Sequence, residues 1–305
     1  MFSSTQKRLV LDITRMTIHN GPGLRTLILF KGCPLSCRWC STPESQAKEI
    51  EIGINRKKCN LCGNCFSICP VDAISTVNGN VIIDRKKCNK CTKCAEVCHP
   101  GAIQILGRYM SVSDLLVEAE KDKTFYNNSG GGVTLSGGEP LLEPDFNSKL
   151  FKALKNAGIS IGVDTCGYVP WKNISQVLEY VDFFLWDIKH MDPEEHRVLT
   201  GVRNELILTN LKACSDRGTP LYIRIPVIPG CNDSEKNIRA TCEFVKELRS
   251  VRQIDLLPVH HLGRARYEAL DRPYPIADIQ LINDERMQLL KTLVESYGIR
   301  CTIGG

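Results

Sequence analysis

The chain has 305 residues, 39 Lys and Arg against 34 Asp and Glu for a formal net charge of +5, and 16 cysteines. That length predicts about two domains with ample chain for a buried core. So modest a charge, with no long Lys/Arg run, argues against nucleic acid as a partner, and no apolar run approaches the roughly 18 residues of a membrane span.

The start, Met1-Phe2-Ser3-Ser4-Thr5-Gln6-Lys7-Arg8, lacks the apolar core of a signal peptide. A reducing cytoplasm is therefore expected, where clustered cysteines read as metal ligands rather than disulfides. A strand is predicted over residues 24–30, followed directly by Lys31-Gly32-Cys33-Pro34-Leu35-Ser36-Cys37-Arg38-Trp39-Cys40. A cubane iron–sulfur cluster takes four ligands, so three thiolates leave one iron open. An open iron can bind a substrate, whereas a fully ligated cluster only passes electrons. Taken alone, the stretch also fits a zinc knuckle or three unrelated buried cysteines.

Next comes an internal duplication: Arg56-Lys57-Lys58-Cys59-Asn60 recurs as Arg85-Lys86-Lys87-Cys88-Asn89. The first copy continues with Cys62, Cys65, Cys69 and Pro70, the second with Cys91, Cys94, Cys98 and His99-Pro100. This doubled C-x2-C-x2-C-x3-C run resembles the bacterial two-cluster ferredoxin, in which the fourth cysteine of each run ligates the other cluster. The resemblance assigns one cluster to Cys59, Cys62, Cys65 and Cys98, and the other to Cys88, Cys91, Cys94 and Cys69. His99 stands where proline is usual and weakens the expected turn. Zinc is the alternative occupant, but Ala73-Ile74 and Ala102-Ile103 at matching offsets favour the ferredoxin reading.

Beyond the duplication, strands are predicted over 132–136, 159–164, 182–188, 221–227 and 254–259, and helices over 146–157, 174–180, 235–248 and 284–297. Gly158 and Gly298 mark two of the helix ends. Such alternation demands a parallel α/β sheet, and right-handed crossovers curl it into a barrel or part of one with chemistry at the C-terminal strand ends. The cysteine loop follows the first predicted strand of that sheet. Ser136-Gly137-Gly138-Glu139-Pro140, Asp164-Thr165-Cys166-Gly167 and Asp187-Ile188-Lys189 follow later ones. Glycines let backbone approach a ligand, and acids buried at strand ends need a cation or donor.

The C-x3-C-x2-C spacing with Trp39 before the last cysteine resembles the signature of the radical S-adenosylmethionine (SAM) enzymes, whose open iron chelates the amino and carboxylate groups of SAM. Ser136 to Pro140 resembles that superfamily's motif for the SAM amino group. The likeness narrows to the activating enzymes of glycyl radical enzymes, related to pyruvate formate-lyase activase, and covers nearly the whole chain. It includes Gly21-Pro22-Gly23-Leu24-Arg25, Ser41-Thr42-Pro43-Glu44, Gly130 to Thr134, Ile223 to Gly230 and Leu257 to Gly263. The resemblance implies a partial (β/α) barrel of the radical SAM type, residues 1–54 and 107–305, interrupted by a ferredoxin-like two-cluster insert at 55–106. It implies that Trp39, Cys40, Ser41, Gly138, Asp187, Ile188, Lys189 and His260 line the SAM site, and that Asp164, Thr165 and Asp187 hold a monovalent cation. His260 reads alternatively as a structural strand-end histidine, His261 as ordinary surface, and Arg224 as either a cofactor contact or an ion pair within the barrel.

Two departures bear on the likeness. Asn20 stands where pyruvate formate-lyase activase has Asp before Gly-Pro-Gly, so a contact with the target peptide loses its charge. The insert sets the chain apart from short activases and resembles the longer subgroup that serves diol and glycerol dehydratases, choline lyase, arylacetate decarboxylases, sulfonate lyases and arylsuccinate synthases. Cys166, Cys214, Cys231, Cys242 and Cys301 read as small buried apolar side chains.

The implied activity is reductive cleavage of SAM at the Cys33, Cys37 and Cys40 cluster, followed by hydrogen abstraction from a glycine Cα of a partner enzyme, with no catalytic acid or base. Its cofactors are three [4Fe–4S] clusters and SAM. Its partners are a glycyl radical enzyme and an electron donor such as flavodoxin or ferredoxin, and the setting is anaerobic. Fully ligated oxidised cubanes add about −2 each and a three-thiolate one about −1, bringing the loaded protein near neutrality. The rival readings are a radical SAM enzyme acting on a small molecule and a non-enzymatic iron–sulfur electron carrier.

Overall fold

Strand β1 (Lys7–Thr17), near the start of the 6–304 span that the computed structural model describes, buries Arg8, Leu9 and Val10 in succession and alternates half-buried with exposed residues from Leu11 onward. Its charged residues masked it in the sequence, yet Arg8 is buried, its guanidinium donating to Pro140 O and to Asn147 Oδ1 at 2.7 Å and lying 3.8 Å from the Phe30 ring centroid. The strands that follow are β2 (Arg25–Phe30), β3 (Glu51–Ile54), β4 (Ile74–Val77), β5 (Asn80–Ile83), β6 (Ile103–Leu106), β7 (Arg108–Ser111) and β8 (Gly132–Gly137). Beyond them lie β9 (Ser160–Thr165), β10 (Phe183–Asp187), β11 (Leu221–Val227), β12 (Val251–Pro258) and β13 (Cys301–Ile303).

Nine of these form one sheet in the order β13-β12-β11-β10-β9-β8-β2-β1-β7. From β2 to β13 every pairing is parallel, while β1 lies antiparallel between β2 and β7. Both β13 and β7 are edges, so the barrel does not close. Thr14 on β1 and Leu257 on β12 nevertheless line one cavity of about 460 Å³. Six strand spacings of about 4.8 Å would put them roughly 29 Å apart on a flat sheet. The sheet therefore curls around the cavity, as the partial barrel requires.

Helices fill the crossovers and stop where the sequence tells them to. Pro144–Asn156 starts on a proline at its first position and ends at Gly158, whose φ of +70° and N–H to Lys155 O close the terminus. Glu235–Lys246 is capped by the Ser234 hydroxyl, and Asp284–Glu295 by the Asn283 side chain. The predicted helix over 174–180 is in fact two pieces, Trp171–Ser175 and a 3-10 turn Leu178–Tyr180. Apolar helix faces meet Val133, Leu135, Ile161, Val163, Phe184 and Ile223 of the sheet in the main core.

The duplicated segment builds two small sheets, β3 with β6 and β4 with β5, around its own core of Ile52, Ile54, Ile74, Val81, Ile83, Cys94 and Ile103. The repeat extends to the backbone: Leu61 and Lys90, Gly63 and Thr92, and Asp72 and Gly101 are corresponding pairs, all at positive φ. Non-glycine residues adopt that conformation only where the surroundings impose it. The turn after His99 closes better than its counterpart, with Gly101 N–H to Cys98 O at 2.8 Å against Asp72 N–H to Cys69 O at 3.5 Å. Gly101 takes the positive φ at lower steric cost than Asp72 does, which compensates for the missing proline.

Candidate active site

The cavity opens at the C-terminal ends of the parallel strands and brings together Cys33, Cys37, Cys40, Trp39, Ser41, Gly138, Asp164, Thr165, Asp187, Lys189 and His260. The cysteine loop is pinned from two sides. Gly32 N–H and Cys33 N–H reach Ser45 O and Gln46 O, while Ser36 N–H and Arg38 N–H reach Thr200 O and Leu199 O at the end of helix Pro193–Thr200. Burial pushes the Cys37 thiol up to about 12 and the Cys40 thiol to about 11. These two become thiolates only against a positive centre, which an iron supplies.

The Gly137-Gly138 turn is dictated by close packing on that loop. A Cβ on Gly138 would lie 2.1 Å from Gly32 O, and one on Gly137 2.4 Å from Phe30 N and O, with φ there at +105°. Gly138 N–H is committed to Phe30 O at 2.9 Å, so its contribution to the cavity is absence of bulk rather than a free donor. Glu139, fully buried, anchors the turn to the end of β9: its carboxylate accepts from Thr165 Oγ1 at 2.8 Å, Cys166 N–H at 3.0 Å, Cys166 Sγ at 3.1 Å and Leu141 N–H at 3.0 Å. Burial raises its pKa despite these donors.

Two ion pairs face the cavity, and Arg266 also lines it. Arg224 Nη1 lies 3.3 Å from Asp164 Oδ2, which also accepts from Ser136 Oγ at 2.8 Å, and Lys189 Nζ lies 2.8 Å from Asp187 Oδ2. Arg224, which the sequence left undecided between a cofactor contact and an ion pair, makes the ion pair and also lines the cavity, so it is placed for both. Burial acts against the Lys189 ammonium, but Asp187 and Cys37 outweigh it and hold its pKa above the ordinary lysine value. Burial likewise raises Asp164 against the opposing pull of Arg224. The Thr165 hydroxyl donates to Glu139 while the residue lines the same cavity as Asp164 and Asp187.

Several residues sit elsewhere than expected. The Ile188 side chain lies in the main core and its N–H bonds Arg224 O, so it does not line the cavity. His260 is exposed at the cavity rim. His261 is not ordinary surface: its ring nitrogens meet Tyr274 Oη at 3.2 Å and Ile279 O at 2.9 Å, fixing the segment that follows β12. Cys214, Cys242 and Cys301 are buried in the core, but Cys166 lines the cavity, between Glu139 and Cys33, and its thiol holds the Cys33 pKa down. Its place in Asp164-Thr165-Cys166-Gly167, straight after a strand, was the available signal. Glu139 was visible in the same way within Ser136 to Pro140.

In the duplicated segment, one void is ringed by Cys59, Cys62, Cys65 and Cys98, and a second by Cys69, Cys88, Cys91 and Cys94. Each crossing cysteine accepts a backbone N–H, Ala73 to Cys69 Sγ at 3.2 Å and Ile103 to Cys98 Sγ at 3.3 Å, a contact suited to thiolate sulfur.

The radical SAM superfamily pattern matches residues 83–242, and a 4Fe–4S dicluster domain matches residues 51–99. The chain is 42% identical to the trans-4-hydroxy-L-proline dehydratase activating enzyme of Clostridioides difficile, across 97% of this chain and 99% of that one. It is 38% identical to the choline trimethylamine-lyase activating enzyme of Oleidesulfovibrio alaskensis, across 96% of each. With the (2S)-3-sulfopropanediol dehydratase activating enzyme of Klebsiella oxytoca it shares 40% over 97% of this chain and 96% of that one. A solved domain of a pyruvate-formate lyase-activating enzyme from Bacteroides vulgatus superposes with a TM-score of 0.50 at 36% identity, covering 58% of this chain and all 100% of that one. A radical SAM methyltransferase from Sphaerobacter thermophilus, TM-score 0.56 at 13% identity over 92% of this chain and 66% of that one, shares the fold.

Proposed function

The chain belongs to the radical SAM activating enzymes of glycyl radical enzymes, and we propose that it does its work with three [4Fe–4S] clusters, one open to SAM and two fully ligated. The relatives activate enzymes of different reactions at similar identity, so what carries over is their common feature, a glycyl radical enzyme as protein substrate. A cluster held by Cys33, Cys37 and Cys40 would supply the one-electron reduction that cleaves a carbon–sulfur bond of SAM, and the hydrogen taken up by the 5′-deoxyadenosyl fragment would come from a glycine Cα of the partner.

The protein's own residues position and exclude. Cys33, Cys37 and Cys40 hold the open cluster; Cys59, Cys62, Cys65 and Cys98, and Cys69, Cys88, Cys91 and Cys94, hold the others. Residues 55–106 are the ferredoxin-like insert, and 1–54 with 107–305 the radical SAM part. A cavity of about 460 Å³ suits a nucleoside-sized ligand. Its two acid–base pairs, Asp164 with Arg224 and Asp187 with Lys189, match a zwitterionic ligand end. Trp39, Ser41 and His260 supply the wall and rim, and Gly138 leaves room for the ligand. A monovalent cation at Asp164 and Asp187 could take Thr165 as a third side-chain ligand through the hydroxyl lone pair left free while its hydrogen goes to Glu139 and Gly167 N–H bonds the other lone pair. A flavodoxin or ferredoxin supplies the electron, in an anaerobic cytoplasm.

The carrying observation is that the three-cysteine loop, the Gly138 turn and the Asp187 and Lys189 pair meet in one cavity at the C-terminal strand ends. With SAM, a reductant and the glycyl radical enzyme encoded beside it, the protein is expected to give a glycine-centred radical, seen by electron paramagnetic resonance as a doublet. Deuterium placed at that glycine Cα should appear in 5′-deoxyadenosine. Label recovered only in a small-molecule product would sink the reading.

A further inference from the structure

The duplicated Arg-Lys-Lys-Cys motif contributes two arginines that no cluster needs. Arg56 and Arg85 converge on one carboxylate, Asp271: Arg56 Nη2 pairs with Oδ1, and Arg85 Nη2 lies 3.8 Å from Oδ2. The same guanidinium groups reach the last carbonyls of helix Arg264–Ala269, Arg56 donating to Glu268 O at 2.6 Å and Arg85 to Ala269 O at 3.4 Å. Arg85 also donates to Ile52 O on β3 at 2.5 Å, which ties the node to the base of the insert. Asp271 sits at a φ of +54° just past the C-terminus of that helix, which Arg272 N–H closes on Tyr267 O at 3.0 Å.

The segment around Asp271, from Val259 to Ile276, covers the cysteine loop. Gly263 packs where an added Cβ would lie 3.3 Å from Cys40 O and Ser41 Cα, Arg266 pairs with Glu44, and Val259 and Ile276 enclose Trp39. Arg272, next to Asp271, pairs with Glu51 at 2.6 Å and donates to Pro43 O at 3.2 Å, while Glu51 also meets Lys31 Nζ at 3.1 Å, two residues before Cys33. One charged seam thus joins the insert, the tail of the cysteine loop and its cover.

We infer that Asp271 is a positioning residue for the SAM site: through Arg56 and Arg85 it makes the insert brace the segment covering Trp39 and Cys40, apart from any electron the insert carries. The inference rests on the SAM site proposed above. Asp271→Asn in the reconstituted full-length protein removes the charge while keeping a residue that tolerates positive φ. SAM affinity, measured by equilibrium dialysis, is expected to weaken about three- to tenfold at low salt, the range for two partly exposed pairs. The gap from wild type should narrow at high salt, where the wild-type pairs are screened. Amide exchange over 260–283 should accelerate, cluster content should hold, and Asp271→Glu should recover part of the affinity. Approached from the insert, Arg56→Gln and Arg85→Gln should each weaken SAM binding, and each combined with Asp271→Asn should lose less than the sum of the two single losses. Full additivity, or unchanged SAM affinity and exchange in Asp271→Asn, overturns the brace. Wild-type protein that fails to bind SAM counts against the SAM site instead, and exchange over 260–283 then still judges the brace.

Discussion

Cys33, Cys37 and Cys40 share one loop with very different surroundings: Cys37 and Cys40 are pushed up by burial, while the Cys166 thiol holds Cys33 down. A positive iron centre favours the thiolate form of all three against that burial. Cys166 also lines the cavity, but its N–H and Sγ are both engaged by Glu139. Replacing Cys33, Cys37 and Cys40 together by Ala is therefore expected to lower iron from roughly twelve to roughly eight per chain, leaving the two insert clusters. Iron and sulfide analysis of the anaerobically reconstituted variant checks this; unchanged iron would remove the assigned site.

Among the elements, the turn after β8 shows how local geometry and site are one problem. Gly138 is not at positive φ, so backbone strain does not demand glycine there; the contact at 2.1 Å with Gly32 O does. Gly138→Ala must lift the turn off the cysteine loop, an overpacking that costs about 1–3 kcal/mol. The expected result is loss of the cavity cluster with the insert clusters kept, read as a selective change in iron content and in the paramagnetic resonance spectrum. Retention of about twelve irons and of SAM binding would show that the loop can shift without consequence. The strand pattern of β8 to β12 was legible because buried parallel strands read as apolar runs. By contrast β1 was hidden by Lys7, Arg8, Asp12 and Arg15, and the short helices Pro193–Thr200 and Glu205–Asp216 went unassigned beside stronger signals.

At the scale of the whole molecule, two roles for the insert can be separated. Full cysteine ligation suits electron relay, and the seam around Asp271 suits bracing of the SAM site. Replacing Cys62 and Cys91 is expected to impair partner activation by a physiological donor, while a strong artificial reductant still drives SAM cleavage. Activation unchanged with the physiological donor would end the relay role. A variant defective with both reductants, and weakened in SAM binding, would point to bracing instead, because loss of a cluster would then have loosened the seam.

By itself the sequence determined the cysteine spacing, the alternation of strands and helices, and the family resemblance, because ligand spacing and hydrophobic periodicity are local along the chain. The crossed sets containing Cys69 and Cys98 came from the likeness to the two-cluster ferredoxin, and each set lines one void of the insert. Tertiary structure alone decided what each polar side chain faces. It turned Thr165 to Glu139, put Ile188 in the core, set Cys166 beside Cys33 and brought Arg56 and Arg85 to Asp271. Those partners are distant in sequence, and their meeting depends on the curl of the sheet and the seat of the insert, which no local pattern encodes.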